Sequence, residues 1–201
     1  KIDPSTATVV DTVTVGTTPV GVAFDGTSVW VANKGSDTVS QLDPVGDTVL
    51  ATVPVGDGPM GVAFDGTHLW VGNTLGNTVS KVAVATATVT GTIAVGSGPV
   101  GVAFDGTNVW VANRSGNSLS KIAPGAASAT TVTGIGLTPE HIAFDGTHLW
   151  VSNSLTNVVR VHPATNAVLA VPTQSNSHGV VFDGTNVWLS TGLGFLVSLL
   201  P

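Results

Sequence analysis

The chain has 201 residues, enough for one large all-β domain or two small ones, with a core that needs no covalent staples. It contains no cysteine, which excludes disulfides, thiolate metal sites and thiol nucleophiles. Only 9% of residues are charged, the formal net charge is −6, and the six cations stand singly between Lys1 and Arg160, so the clustered basic surface that nucleic acid or an anionic membrane requires is missing. From the N-terminus, KIDPSTATVV lacks an initiator Met and the layout of a signal peptide, and it reads as the start of a trimmed or mature form. KIDP matches QLDP at residues 41–44, the end of a third strand, and TATVVDTVTVG (6–16) reads as a fourth strand.

The first whole unit follows. GVAFDG is its first strand and ends at Asp-Gly, a two-residue hairpin signal. TSVWVAN returns, DTVSQLD is the third strand, and DTVLATVPVG is the fourth, leading through Gly-Pro into the next unit. FDGT recurs at Phe24, Phe64, Phe104, Phe144 and Phe182, at spacings of 40, 40, 40 and 38. Each copy runs on to a tryptophan: Trp30, Trp70, Trp110, Trp150 and Trp188. The lead-ins fall near residues 20, 60, 100, 140 and 178, so the copies fill residues 1–201 as a single domain.

Four strands in about 40 residues is the arithmetic of a β-propeller blade. Val22, Ala23 and Phe24 are successive apolar residues, so both faces of the first strand call for burial, as they do between packed blades. The ten repeated Phe and Trp side chains are expected to be the wedges between blades. FLVSLLP at the finish matches TVSQLDP, which leaves the fifth blade without a fourth strand. Residues 6–16 are expected to supply it, closing an all-β five-bladed propeller and removing a free edge. A piece of a larger ring would also show five copies.

WVAN (30–33), WVGN (70–73), WVAN (110–113) and WVSN (150–153), with Pro-x-Gly-Val-Ala lead-ins at 19–23, 59–63 and 99–103, resemble the YVTN β-propeller repeat. The resemblance covers the whole chain. It implies a propeller fold in a secreted prokaryotic protein, including those of surface layers, and so an extracellular, cell-surface or periplasmic location. Pro139-Glu140-His141-Ile142 is also similar to the lead-in that carries the catalytic histidine of streptogramin lyases. That resemblance would make His141 catalytic, and Glu140 or His178 stands close enough in the ring order to support it. This chain departs from it at Asn33, Asn73, Asn113 and Asn153, where those repeats tend to place Glu, and at Thr191 in the fifth copy.

Strand polarity puts the Asp-Gly turns on one rim and the Pro-x-Gly loops, with the second-to-third strand loops, on the other. On the Pro-x-Gly rim one ring position holds Val20, Met60, Val100, Glu140 and His178, and the next holds Gly21, Gly61, Gly101, His141 and Gly179. Four glycines of five mark a crowded backbone, expected at the axis. Glu140 is the only glutamate of the chain, and with His141 and His178 it gathers polar groups at one side of the channel mouth. Such a trio could be channel filler, a ligand site with Asn113 and Asn153 beside it, an acid/base pair, or a zinc triad of Glu140, His141 and His178.

The repeated Asn residues read as strand-end caps, His68, His148 and His162 as turn residues of the opposite rim, and Asn113-Arg114-Ser115 as a glycosylation sequon. The composite expectation is a non-catalytic binding or scaffold domain. Its partner would be a small polar ligand, a glycan or a protein at the channel mouth, with no cofactor, no nucleic acid and no membrane insertion. Its weakly charged surface also suits self-association.

Overall fold

The computed structural model describes residues 1–173, 176–192 and 196–199, the last four as backbone only. A ribbon of β1 (Ile2–Asp3) and β2 (Thr8–Val9) precedes five sheets. Sheet one holds β3 (Pro19–Phe24), β4 (Val29–Asn33), β5 (Thr38–Asp43) and β6 (Thr48–Pro54). Sheet two holds β7 (Pro59–Phe64), β8 (His68–Asn73), β9 (Thr78–Ala83) and β10 (Thr88–Ala94). Sheet three is β11 (Pro99–Phe104), β12 (Val109–Asn113), β13 (Ser118–Ile122) and β14 (Thr130–Val132). Sheet four is β15 (Pro139–Phe144), β16 (Leu149–Asn153), β17 (Val158–Val161) and β18 (Val168–Val171). Sheet five has β19 (Ser177–Phe182), β20 (Val187–Thr191) and β21 (Leu196–Leu199). Every sheet is an antiparallel meander in chain order, and no helix occurs among the described residues.

The first strands β3, β7, β11, β15 and β19 neighbour one another in series, which makes the fold propeller-like. Each sheet has two unlike faces. One carries the Trp: Trp30, Ala32, Val39 and Val53 of sheet one pack on Leu69, Val71 and Val82 of sheet two. The same pairing recurs as Trp70 and Val79 on Val109 and Val111, Trp110 and Leu119 on Leu149 and Val151, and Trp150 and Val158 on Val187 and Leu189. Trp30, Trp70 and Trp110 are fully buried. Truncating such a Trp to Ala costs about 3–5 kcal/mol.

The Asp-Gly turn differs from the two-residue hairpin expected. Phe24 pairs with Val29, so the loop holds four residues, 25–28, with Gly26 at a φ of 97°. Its organiser is the aspartate. Asp25 Oδ1 accepts the N–H groups of Thr27 and Ser28 at 2.7 and 2.6 Å, and Oδ2 accepts the Trp30 indole N–H at 2.7 Å. Asp65, Asp105, Asp145 and Asp183 repeat the arrangement on Trp70, Trp110, Trp150 and Trp188. Each Trp is thereby tied to its own turn, the four wedges Trp30, Trp70, Trp110 and Trp150 and also the half-buried Trp188, which joins no cluster among the described residues.

Two expectations are corrected. Residues 6–16 do not extend sheet five: Thr8 and Val9 pair with Asp3 and Ile2, and sheet five has three strands among the described residues. Residues 1–16 instead follow the outer path of a repeat in front of sheet one. Lys1 Nζ donates to Pro44 O at 2.9 Å, as Lys81 does to Pro124 O and Lys121 to Pro163 O one repeat on. The ladder position on β2 that β21 would need is therefore taken by β1. Of FLVSLLP, Phe195, Leu200 and Pro201 lie outside the described residues.

Second, Phe24 is not a wedge. It is 58% exposed and Val22 64% exposed, whereas Ile142, Phe144, Val180 and Phe182 pack on a preceding Trp cluster. The difference follows from the series of sheets, since among the described residues no Trp face packs on the inner half of sheet one.

Candidate functional site

The first strand of each sheet carries a β-bulge near its start. In sheet four Pro139 pairs with Asn153 and Ile142 with Val151, so Glu140 and His141 together face the single residue Ser152. In sheet five the register shifts between Ser177 and Gly179, at His178. A bulge interrupts the alternation of side chains and re-aims them. Here it lies among the residues that line a cavity of about 510 Å³ between the first strands of sheets one to four, Val20, Met60, Val100, Glu140 and His141 among them, with His178 just outside the lining. Val20, Met60 and Val100 form part of its wall, and Arg114, Glu140 and His141 supply the charged and titratable groups of its lining.

The glycines of the ring are explained by the neighbouring strand. A Cβ on Gly21 would stand 1.9 Å from Met60 O, on Gly61 2.0 Å from Val100 O, and on Gly101 2.3 Å from Glu140 O. The crowding expected at the axis is thus contact with the next sheet's backbone. Sheet four solves the same contact differently. His141 Nδ1 lies 2.6 Å from His178 O, and Ser152 Oγ donates to the same carbonyl at 3.1 Å. Ser152 also accepts the His141 backbone N–H at 3.1 Å. Ala32, Gly72 and Ala112 hold its place in the earlier sheets.

Glu140 is the hub of the cluster. Its Oε1 lies 3.2 Å from Arg114 Nη2 and its Oε2 3.3 Å from His178 Nδ1. The Glu140 side chain is only 15% exposed, against 53% for Arg114 and 54% for His178. Three successive sheets contribute: Arg114 follows β12 of sheet three, Glu140 and His141 lie in β15, and His178 in β19. Each pair joins a half-exposed cation to this mostly buried carboxylate, so Glu140 relies on both partners for its charge. A carbonyl and a carboxylate only accept, so both imidazoles carry their proton on Nδ1 when neutral and leave Nε2 with its lone pair.

The structure thus brings together Glu140, His141 and His178, and adds Arg114 and Ser152. It does not bring Asn113 and Asn153 to them. Both are 0% exposed. Asn113 Nδ2 donates to Ser118 Oγ and Ser120 Oγ at 3.0 Å, and Asn153 Nδ2 to Asn157 O at 2.9 Å. They hold the second-to-third strand loops of their own sheets, and the Asn113 amide is closed to glycosylation in the folded chain. Among the described residues no group of three or more His, Asp or Glu is placed to hold a metal ion.

On the opposite rim His68 Nδ1 stands 3.8 Å from Asp65, and His148 packs edge-on against His162 with ring centroids 5.5 Å apart. Burial, with the Arg160 charge nearby, holds the His148 imidazole below its usual range. Arg114 was missed by sequence reasoning because it stands alone in the chain. The signal is a cation after the strand-end Asn, one repeat before the single Glu, on the rim the two loops share. Ser152 is visible as the departure of WVSN from WVAN and WVGN.

These features define a propeller-like, all-β repeat protein with a polar cluster on one side of the mouth of a central cavity. No protein-family model matches the chain, and no curated protein does. Among solved structures it is similar to the hydrazine synthase of Kuenenia stuttgartiensis, with a TM-score of 0.77 and 20% identity over 94% of this chain and 68% of that one. At that identity the likeness shows the fold alone.

Proposed function

We propose that the five sheets are blades of one propeller unit serving as a non-catalytic binding or scaffold domain of a secreted or cell-surface protein, its ligand held at the cavity mouth. The observation that carries this is the Arg114–Glu140 pair in the cavity lining, extended to His178 and joined by His141 through the His178 carbonyl. Polar groups converging on an otherwise apolar concave wall are the usual make-up of a small-molecule site. The YVTN-like text of the repeats supports an extracellular, cell-surface or periplasmic setting. The exposed Val22 and Phe24 face of blade one is where self-association would arise.

The test is a panel of glycans and small polar compounds, with protein pull-downs, run on the wild type and on Arg114→Ala and His141→Ala. A binding domain of this kind gives at least one partner whose affinity falls by about tenfold or more in both variants. Partners unaffected by either substitution would move the site elsewhere.

A second function, lyase or hydrolase chemistry similar to that of the streptogramin lyases, is favoured by one observation. The neutral His141 ring keeps its Nε2 lone pair as a general base, oriented at Nδ1 by a carbonyl. It requires turnover by the pure protein that His141→Ala abolishes and Arg114→Ala spares in part.

A further inference from the structure

We propose that the ligand of the cavity mouth is a small zwitterion with an aliphatic side chain, an α-amino acid; this rests on the binding function proposed above and names the chemistry of that same site. The lining sets a cation beside an anion: Arg114 Nη2 and Glu140 Oε1 are 3.2 Å apart. An α-amino acid carries the matching pair, ammonium and carboxylate, on one carbon. It can lie along the pair with its carboxylate on the guanidinium and its ammonium on Glu140.

The hydrogen-bonding capacities agree. Arg114 is half exposed and uses one nitrogen on Glu140, which leaves guanidinium N–H groups for a carboxylate. His141 lines the cavity and offers Nε2 as an acceptor because Nδ1 is engaged by the His178 carbonyl, so an ammonium meets two acceptors, imidazole and carboxylate.

Charge excludes the simpler alternatives. A lone anion drawn to Arg114 would sit against Glu140, and a lone cation drawn to Glu140 would sit against Arg114. Like-charge contact of that kind is how sites reject wrong partners. The zwitterion is neutral overall, as the Arg114–Glu140 pair is, and meets no like charge in the matched orientation. The rest of the wall decides the side chain. Val20, Met60 and Val100 of sheets one to three line the same cavity as the polar cluster, and this apolar surface suits an aliphatic chain better than a polyol.

Calorimetric titration of the whole chain tests this with L-leucine, glycine, N-acetyl-leucine, leucinamide and glucose as probes. Leucine should bind. Glycine, which lacks the aliphatic chain, N-acetyl-leucine, which lacks the ammonium, and leucinamide, which lacks the carboxylate, should each be weaker by about tenfold or more. In Arg114→Ala, leucine and leucinamide should bind alike, because the group that read the carboxylate is gone. Arg114 lies outside the four Trp clusters, so this variant should fold, with some loss of thermal midpoint from leaving Glu140 to His178 alone, and the ligand series on the wild type needs no variant at all. Glucose bound in a way that His141→Ala abolishes, with no leucine binding, would overturn the zwitterion and leave the cavity-mouth site standing. Leucine bound equally well by Arg114→Ala, or no amino acid bound at all, would also overturn it.

Discussion

Each of the five turn aspartates accepts two backbone N–H groups and one indole N–H, and the consequence is measurable in acid. For Asp25, Asp65, Asp105 and Asp145, burial pushes the carboxyl up, but the backbone and indole hydrogen bonds together outweigh it and hold each below the usual range. For Asp183 the Asn186 N–H, the Trp188 indole and the Thr185 N–H bring it down to about 2. A carboxyl depressed by folding adds stability that is fully present above its unfolded pKa of about 3.9 and is lost as pH falls through the folded value. The share of the thermal midpoint carried by these carboxyls should therefore be flat from neutrality to about pH 5 and fall steadily from about pH 4 toward 2, while His148, held low by burial, adds a shallower loss below its unfolded pKa of about 6.5. Asp105→Asn sets an amide donor against the buried Trp110 indole and should cost about 1–3 kcal/mol in denaturant titration at pH 7 while flattening the acid slope. Asp-Gly was legible in the sequence as a turn, but the indole bond was not, because it depends on a Trp five residues on reaching back over the loop. Glu140, His141 and His178 were legible as breaks in a repeat. Arg114 was not, since its partner lies one sheet away.

At the scale of the strand, the repeat period made the sheets readable, while the bulge was hidden in a pattern that shows residue types and not pairing. Pro139 to Ile142 reads as ordinary strand text, yet the shift in register there aims Glu140 and His141 at the cavity. The ring glycines test how tightly the sheets approach. Gly61→Ala puts a Cβ 2.0 Å from the Val100 carbonyl, part of the backbone of the next sheet, and should cost about 1–3 kcal/mol in chemical denaturation. Gly91→Ala, in the outer strand β10 with nothing within 4 Å of the added Cβ, should change stability by no more than about 1 kcal/mol. Equal losses at both positions would mean that the inner strands have room to part.

For the molecule as a whole, stability is carried by four repeated contacts of a Trp face on a Val/Phe face, so a sheet is secured by its neighbours. Sheets two, three and four are held on both sides, and sheet three is the middle of the series. Amides of β12 should exchange most slowly, and those of β3 and β19 faster, in native-state hydrogen exchange. Closure was the misread element. KIDP and FLVSLLP both match the third strand of a unit, so the two ends compete for one place beside β2, and pairing with β1 needs only a short local turn. The central claim remains the cavity mouth. Backbone amide shifts recorded by NMR while a bound small molecule is titrated in test it most directly. The account predicts shifts concentrated at Gly101, Arg114, Glu140, His141 and His178, with the aspartate turns at 25–28, 65–68, 105–108, 145–148 and 183–186 unmoved. Shifts confined to those turns, with Glu140 and His141 silent, would contradict it.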